Sequence, residues 1–175
     1  MPRLRRAGTR YGRVDRRIAP TPPKDAMTSA HKLINPSTLA PPLGFSHAAV
    51  AAEGRTVYLG GQTAHGPTGI LQGSDIVEQF DAAAANVVTA LKAVGGEPED
   101  LVSMQIFVTD ADAYRGATHE LRDVYRKHFG RHYPALALFE VVGLFDPDAY
   151  VELICMAVIP STKPDYEPLP LNGNA

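Results

Sequence analysis

Two glutamates lie in a predominantly apolar stretch near the end of the chain, HYPALALFEVVGLFDPDAYVELICMAVIP at residues 132–160. In a protein core the carboxylates of Glu140 and Glu152 would cost several kcal/mol each unless they faced water or had a partner. A carboxylate held against apolar groups is also a residue type that serves in general acid–base catalysis. Glu152 is therefore the first candidate for a functional side chain.

A glycine pair marks a second candidate site, in the segment LGGQTAHGPTG at residues 59–69. A strand that ends in Gly60-Gly61-Gln62 would expose backbone N–H groups where a ligand can approach closely. The same glycines could instead form only a bulge or a tight turn. Gln62 and His65 could line a cleft or simply be solvated.

Other pairs of reactive residues are weaker candidates. His128 and His132 have a spacing that metal sites use, but Gly130 between them should end a helix, and no Cys or carboxylate completes a ligand set. We therefore expect no metal and interpret both as solvated histidines at a helix C-terminus. Ser46 and His47 are adjacent in a strand pattern, which places their side chains on opposite faces. They are not expected to act as a nucleophile and its base.

Charge is unevenly distributed along the chain. Residues 1–26 contain seven arginines and Lys24 against Asp15 and Asp25, a net charge of +6, so the remaining residues carry −8 of the total of −2. An acidic globular region argues against nucleic acid as its partner. No apolar run is long enough for a membrane helix, and Cys155, the one cysteine, excludes an internal disulfide. These features favour a reducing compartment, and we expect a cytoplasmic protein.

The two ends of the chain differ in composition from its centre. The basic segment 1–26 shows no apolar periodicity, and we expect it to be disordered. It could be an organellar transit peptide, a basic arm that contacts anions, or an extension upstream of a start at Met27; the absence of a folding pattern before Met27 favours the last. Residues 27–160 form the predicted domain, and the proline-rich residues 161–175 form a solvated tail.

The central region alternates between strand and helix patterns in the order βββ-α-β-α-ββ. The strands are predicted at His31–Ile34, Ser46–Ala51, Thr56–Gly60, 101–110, Ala135–Val142 and Tyr150–Val158, with a Glu53-Gly54 turn joining the second and third. The helices are predicted at 74–96, with a capping box from Asp75 and Glu78, and at 112–130. This order predicts a two-layer α+β domain, with two helices on one face of a mixed sheet. The last strands are apolar on both faces, which suggests that another subunit covers the open face.

An ordered set of segments resembles the Rid family, also called the YjgF/YER057c/UK114 family. The matching segments are FSHAAVA, VYLGGQTA, GILQGSDIVEQFDAAAANVVTALKAVGGEPEDLVSMQIFVTD, VYRKHFGRHYPAL and VELICMAVIP, which together span about residues 30–160. The resemblance implies a chorismate-mutase-like fold and a homotrimer whose sheets form a central barrel, with a small-molecule pocket at each subunit interface. It also implies hydrolysis of imines and enamines, such as 2-iminopropionate, to a keto acid and ammonia without a cofactor.

The resemblance further assigns residues to the pocket. Glu152 corresponds to the family's glutamate that helps to position the attacking water, and Tyr125 matches a tyrosine of the second helix. Leu136 stands where active members have an arginine that binds the substrate carboxylate, a task suited to a planar two-pronged donor. Gly60 replaces a common serine, and Arg122 replaces a common asparagine. Glu152 would then lack its usual positive counterpart, unless an arginine such as Arg122 or Arg115 supplies one.

Three functions are consistent with this sequence. The protein could hydrolyse a C=N or enamine bond in a metabolite other than the usual 2-imino acids, with Glu152, Gln62 and the amides of Gly60 and Gly61 supplying acid–base and positioning groups. It could instead be a trimer that binds a small ligand without catalysis, or a structural protein with a protein partner. The missing arginine argues against the standard substrate and leaves the other two functions open.

Overall fold

Residues 29–164 are described by the computed structural model and fold into strands and helices in the predicted α+β order. The strands are β1 Lys32–Ile34, β2 Ala48–Val50, β3 Gly54–Tyr58, β4 Leu101–Val108, β5 Ala135–Glu140 and β6 Val151–Pro160. The helices are α1 Ile76–Lys92, α2 Ala111–Gly116 and α3 Thr118–Phe129, with a 3-10 turn at Pro98–Asp100. The basic segment 1–26 and most of the tail predicted at 161–175 lie outside the described residues.

The main sheet has four strands in the order β3-β6-β4-β5. Only β4 and β5 run parallel within it, while β6 pairs antiparallel with both β3 and β4, so the sheet is mixed as predicted. Alternate residues of β6, from Val151 to Ala157, are buried against the helices, whereas Glu152 and Ile154 point to the other side. This second side, called the open face below, carries no helix within residues 29–164.

Two local predictions were wrong. The segment around Glu53-Gly54 does not join a hairpin, because β2 pairs with β1 in a separate two-stranded sheet and Gly54 pairs with Pro160 of β6. Gly54 fits closely there, since a Cβ on it would lie 2.1 Å from the carbonyl oxygen of Ile159. The second predicted helix is divided into α2 and α3 at Ala117, whose φ of −97° and ψ of 15° interrupt the helical geometry.

Helix α1 follows its predicted pattern. The carboxylate of Asp75 accepts hydrogen bonds from the N–H groups of Val77 and Glu78, and the Glu78 carboxylate accepts one from the N–H of Ser74. The predicted capping box is therefore present, with its return bond displaced by one residue. The predicted apolar residues of the helix from Ile76 to Leu91 are buried in the core.

Ion pairs join α1 to α3. They include His128 but not His132, so the two histidines with the spacing of a metal pair have different partners. Asp81 lies 2.8 Å from Lys127 Nζ and 2.5 Å from His128 Nε2. Burial opposes its ionisation, but the hydrogen bonds from both partners outweigh this and lower the pKa of Asp81. His132 is buried elsewhere and donates from Nε2 to the Leu101 carbonyl oxygen at 2.7 Å. Since the His128 side chain is also only 13% exposed, the prediction that both histidines are solvated was wrong.

The buried His132 should make the stability of the protein depend on pH. Burial lowers its pKa in the folded state, so the unfolded chain, with a histidine pKa of about 6.5, binds the proton more readily. We expect the free energy of unfolding to fall as the pH decreases from 7 to 5, and His132→Gln to make this dependence shallower. Urea unfolding at several pH values measures it, with the exposed His119→Gln as control. An unchanged slope in His132→Gln would contradict the assignment.

Candidate functional site

A bulge interrupts the pairing of β3 with β6 at the glycine pair. Tyr58 pairs with Met156 and the N–H of Leu59 donates to the carbonyl of Cys155, so regular pairing would place Gly61 opposite Leu153. Gln62 takes that position instead, and its N–H and carbonyl both bond Leu153 at 2.9 Å. The strand therefore contains one extra residue, which is the definition of a β-bulge.

Two backbone N–H groups at the glycine pair face away from strand β6: that of Gly61 because Gln62 takes its place, and that of Gly60 because it points to the free edge of β3. Within residues 29–164, the N–H groups of Gly60 and Gly61 donate no hydrogen bond, and both residues are exposed. The Gln62 side chain folds back, and its Nε2 donates to the Gly60 carbonyl at 3.0 Å. The sequence allowed the glycine pair to form a bulge or to expose amide donors. In the structure it does both.

The Glu152 carboxylate lies directly over Gly61. A Cβ on Gly61 would be 1.7 Å from Glu152 Oε1, so the carboxylate in this position occupies the space that a side chain at residue 61 would need. Glu152 is half-buried, and in the described part of the chain its carboxylate forms no hydrogen bond or ion pair. An acceptor without a protein partner is available to a ligand or to water.

Aromatic residues adjoin Glu152 on the open face. The register places Phe107 opposite Glu152 and Phe139 beside Phe107, and the two rings stack with centroids 5.4 Å apart. Phe139 of the edge strand β5 and Ile154 of the central strand β6 are 46% and 38% exposed, large fractions for apolar residues of a sheet. The candidate site is thus a free carboxylate and amide donors beside an apolar surface.

The other glutamate of the apolar stretch has a structural partner. Glu140 Oε1 accepts a hydrogen bond of 2.9 Å from the N–H of Ala111, the first residue of α2. An acidic group at this position compensates a helix N-H group that lacks an intrahelical partner. Glu140 therefore stabilises the junction between β4 and α2, and Glu152 alone of the two lacks a role in the fold.

Leu136 lies apart from Glu152. Leu136 of β5 pairs with Met104 of β4, and Met104 pairs with Cys155 of β6. Cys155 is three residues from Glu152, so Leu136 is displaced from Glu152 by about 10 Å along the strands and by two strands across the sheet. Its side chain packs against the core, so it points to the opposite side of the sheet from Glu152. Leu136 borders a cleft of about 370 Å³ between the segment 45–47 and strands β4 and β5.

Tyr125 and Arg122 also lie on the helix side of the sheet. The Tyr125 hydroxyl donates to the His132 carbonyl at 2.7 Å, and its ring stacks on Tyr133; burial raises its pKa far above the ordinary value. Arg122 is exposed on α3, where its Nε lies 3.6 Å from Asp123. Within one chain, neither side chain faces the Glu152 carboxylate.

Three polar side chains form a hydrogen-bonded chain just after the bulge. Thr63 Oγ1 lies 2.6 Å from His65 Nδ1, and His65 Nε2 lies 3.0 Å from Asp146 Oδ2. The hydrogen bond from the N–H of Asp148 lowers the pKa of Asp146 most; burial opposes this, and the hydrogen bond and charge of His65 lower the pKa further. Asn86 of α1 donates from Nδ2 to the carbonyls of both Thr63 and His65, at 2.9 and 2.8 Å.

Sequence reasoning did not find Asp146, Asn86 or Gln79. Gln79 is 1% exposed; its Nε2 donates to the carbonyl of Asp148 and its Oε1 accepts from the N–H of Tyr150, which fixes the loop before β6. A polar residue beside the buried stripe of α1 was the available signal for Gln79. The bonds of Asn86 to Thr63 and His65, and that of Asp146 to His65, join residues that are 23, 21 and 81 positions apart, and no local pattern indicates them.

The remaining chemical candidates are inert in this structure. Cys155 is buried, and burial raises the pKa of its thiol to about 12, which fits a packing role. Ser46 donates from its hydroxyl to the Tyr133 carbonyl at 2.7 Å, while His47 contacts the Ala40 carbonyl, so the two act separately as predicted. Among the described helices, none is long and apolar enough to cross a membrane.

The chain belongs to the family described as Endoribonuclease L-PSP, whose model matches residues 36–159. This confirms the resemblance to the Rid proteins. A goat (Capra hircus) protein named 2-iminobutanoate/2-iminopropanoate deaminase is 30% identical over 91 residues, which are 51% of this chain and 64% of the goat protein. The chain thus aligns with less than two thirds of that relative's length.

Solved structures give the same family. YyfB from Yersinia pestis, a Rid-family protein of unknown function, is 28% identical with a TM-score of 0.66, over 74% of this chain and 98% of that one. Rv2704 of Mycobacterium tuberculosis, described as a member of the YjgF/YER057c/UK114 family, is 25% identical with a TM-score of 0.51, over 74% and 100%. The mixed α+β fold is therefore that of the Rid family.

The contact between Gly61 and Glu152 can be tested with a matched pair of alanine variants. Gly61→Ala should displace the Glu152 carboxylate at a cost of about 1 kcal/mol, because the end of a flexible side chain can move. Gly60→Ala should leave it in place, since no atom lies within 4 Å of the added Cβ. The ¹³C chemical shift of the Glu152 carboxyl carbon reports its position. Equal shifts in both variants would contradict this geometry.

Proposed function

We propose that this protein hydrolyses the C=N bond of an imine or enamine in a small metabolite, without a cofactor, and that Glu152 is its acid–base group. The observation that carries the proposal is the carboxylate over Gly61, which has no protein partner in the described residues and lies beside the free N–H groups of the bulge. The goat relative named as a deaminase supports the same class of reaction.

The proposed reaction adds water to the C=N carbon and releases ammonia. With a protonated imine, Glu152 accepts a proton from the attacking water, which forms a carbinolamine, and then passes that proton to the nitrogen. The C–N bond breaks as Glu152 takes the hydroxyl proton, and the departing ammonia carries that proton away as ammonium. The product is a ketone or aldehyde, and the carboxylate is regenerated. The N–H groups of Gly60 and Gly61 would hold the substrate or the developing oxygen, and Gln62 fixes the bulge through its bonds to Leu153 and Gly60.

The proposed substrate is neutral or cationic rather than a 2-imino acid. A carboxylate without a protein partner repels a second carboxylate and attracts an amine or iminium group. Leu136 offers only an apolar side chain to its cleft, and Arg122 is directed to Asp123. The apolar surface of Phe107 and Phe139 suits a hydrophobic substituent on the substrate.

We propose further that three copies of the chain associate through the open face, with their sheets around a central barrel. Tyr58, Phe139 and Ile154 are 77%, 46% and 38% exposed there, a large apolar surface for an isolated chain. In one chain Glu152 and Gly61 lie on the opposite side of the sheet from Tyr125 and Arg122. A pocket that contains residues from both sides would need a neighbouring subunit.

Light scattering after size-exclusion chromatography tests the assembly. The wild-type protein is expected at the mass of three chains. Ile154→Lys places a charge in the centre of the open face and should give monomers, whereas Ile70→Lys, at a residue 69% exposed in a loop outside the sheet, should remain a trimer. A wild-type monomer, or equal masses for the two variants, would contradict the proposal.

The reaction is tested by measuring ammonia release from imines. An amine oxidase or an amino-acid oxidase generates these imines in the assay. The wild-type protein should accelerate hydrolysis of a neutral imine more than that of 2-iminopropionate. Glu152→Gln should lower the rate about 100-fold, since it removes the proton acceptor, and the exposed Glu120→Gln should not change it.

Leu136→Arg provides a second comparison in the same assay. If Leu136 replaces a carboxylate-binding arginine, the variant should gain turnover of 2-iminopropionate. An unchanged rate for Glu152→Gln would contradict the role of Glu152. Binding of the imines by the wild-type protein without any turnover would instead indicate a non-catalytic binding protein.

A further inference from the structure

The protons in the chain of Thr63, His65 and Asp146 can be assigned from chemistry. The ionised Asp146 carboxylate can only accept a hydrogen bond, so the proton of a neutral His65 lies on Nε2, which faces Asp146 at 3.0 Å. Nδ1 then carries a lone pair, and the Thr63 hydroxyl at 2.6 Å must donate to it. The threonine proton is thus directed at a base that a carboxylate holds in the required tautomer.

The chain of three groups is held from both ends. Asn86 donates to the carbonyls that flank residue 64, which fixes the backbone of Thr63 and His65. Asp146 accepts from the N–H of Asp148 at 2.9 Å in its own turn. The side chains of His65 and Asp146 are 33% and 28% exposed, so a small molecule can approach.

We propose that Thr63 is a nucleophile, activated by His65 and oriented through Asp146, that accepts an acyl group from small activated esters. Nucleophile, base and orienting carboxylate within hydrogen-bonding reach are the arrangement that such chemistry requires. This activity is separate from the imine chemistry of Glu152 and uses none of its residues.

The acyl transfer proceeds in two balanced steps. Thr63 Oγ1 attacks the ester carbonyl carbon and passes its proton to His65 Nδ1. The C–O bond to the leaving group then breaks, and the alcohol leaves with that proton, so Thr63 becomes an acyl ester. Water activated by His65 hydrolyses this ester and restores the threonine, with the release of a carboxylic acid.

The probe is p-nitrophenyl acetate with the full chain, followed by nitrophenolate release and by mass spectrometry of the peptide that contains Thr63. We expect one acetyl group on Thr63, its absence in Thr63→Val, and its retention in Thr63→Ser. His65→Gln and Asp146→Asn should slow acetylation about 100-fold, because they remove the base and the carboxylate that orients it. The conservative Thr63→Ser variant distinguishes a lost nucleophile from a disturbed loop.

His119→Gln is the matched control, because His119 is exposed and lies 3.8 Å from Asp123 in a comparable pair outside the site. It should acetylate at the wild-type rate. No acetyl group on Thr63, acetylation only of lysines or the α-amine, or an unchanged rate at Thr63 in His65→Gln would overturn the proposal. Each of these results would leave the network with a structural role alone, joining the loop at 63–66 to the turn before β6.

Discussion

The pairing of β3 with β6 is the constraint on which the candidate site depends. The ladder is regular up to Leu59 and Cys155, and it resumes at Gln62 and Leu153 with one residue too many on the β3 side. The N–H group of Gly61 is therefore not paired with β6, although strand β3 is otherwise bonded to it along this side, and a donor is left free at the edge of the sheet. The Glu152 carboxylate occupies the space that a Cβ at residue 61 would fill. The position of the carboxylate therefore depends on the glycine in the bulge.

The alternation of side chains along β6 determines which groups can act together. Val151 and Leu153 point into the core, and Glu152 between them points to the open face. The same rule places Leu136 of β5 on the helix side, where Tyr125 of α3 is also packed in the core. A single chain therefore presents the acid and the amide donors without the remaining residues that the family resemblance assigns to the pocket. This division is the physical basis for proposing that subunits share the site.

The sequence was sufficient for those features that local pattern determines. The period of apolar residues predicted α1 and its caps, and a charged residue in an apolar strand identified Glu152. Long-range pairing was not predictable in the same way. Nothing near Gly54 indicates that it contacts Ile159, more than 100 residues later, and nothing in the turn at Asp146 indicates His65 as its partner. The break at Ala117 was also missed, because the apolar stripe continues across it.

Amide hydrogen exchange across the bulge tests the central claim most directly. If free donors lie between restored ladder bonds, the amides of Gln62 and Leu153 should be protected roughly 100-fold more than those of Gly60 and Gly61. Addition of a substrate or product that uses these donors should then slow exchange at the two glycines alone. Protection of Gly61 in place of Gln62 in the free protein would mean that the ladder is continuous, and it would contradict the site described above.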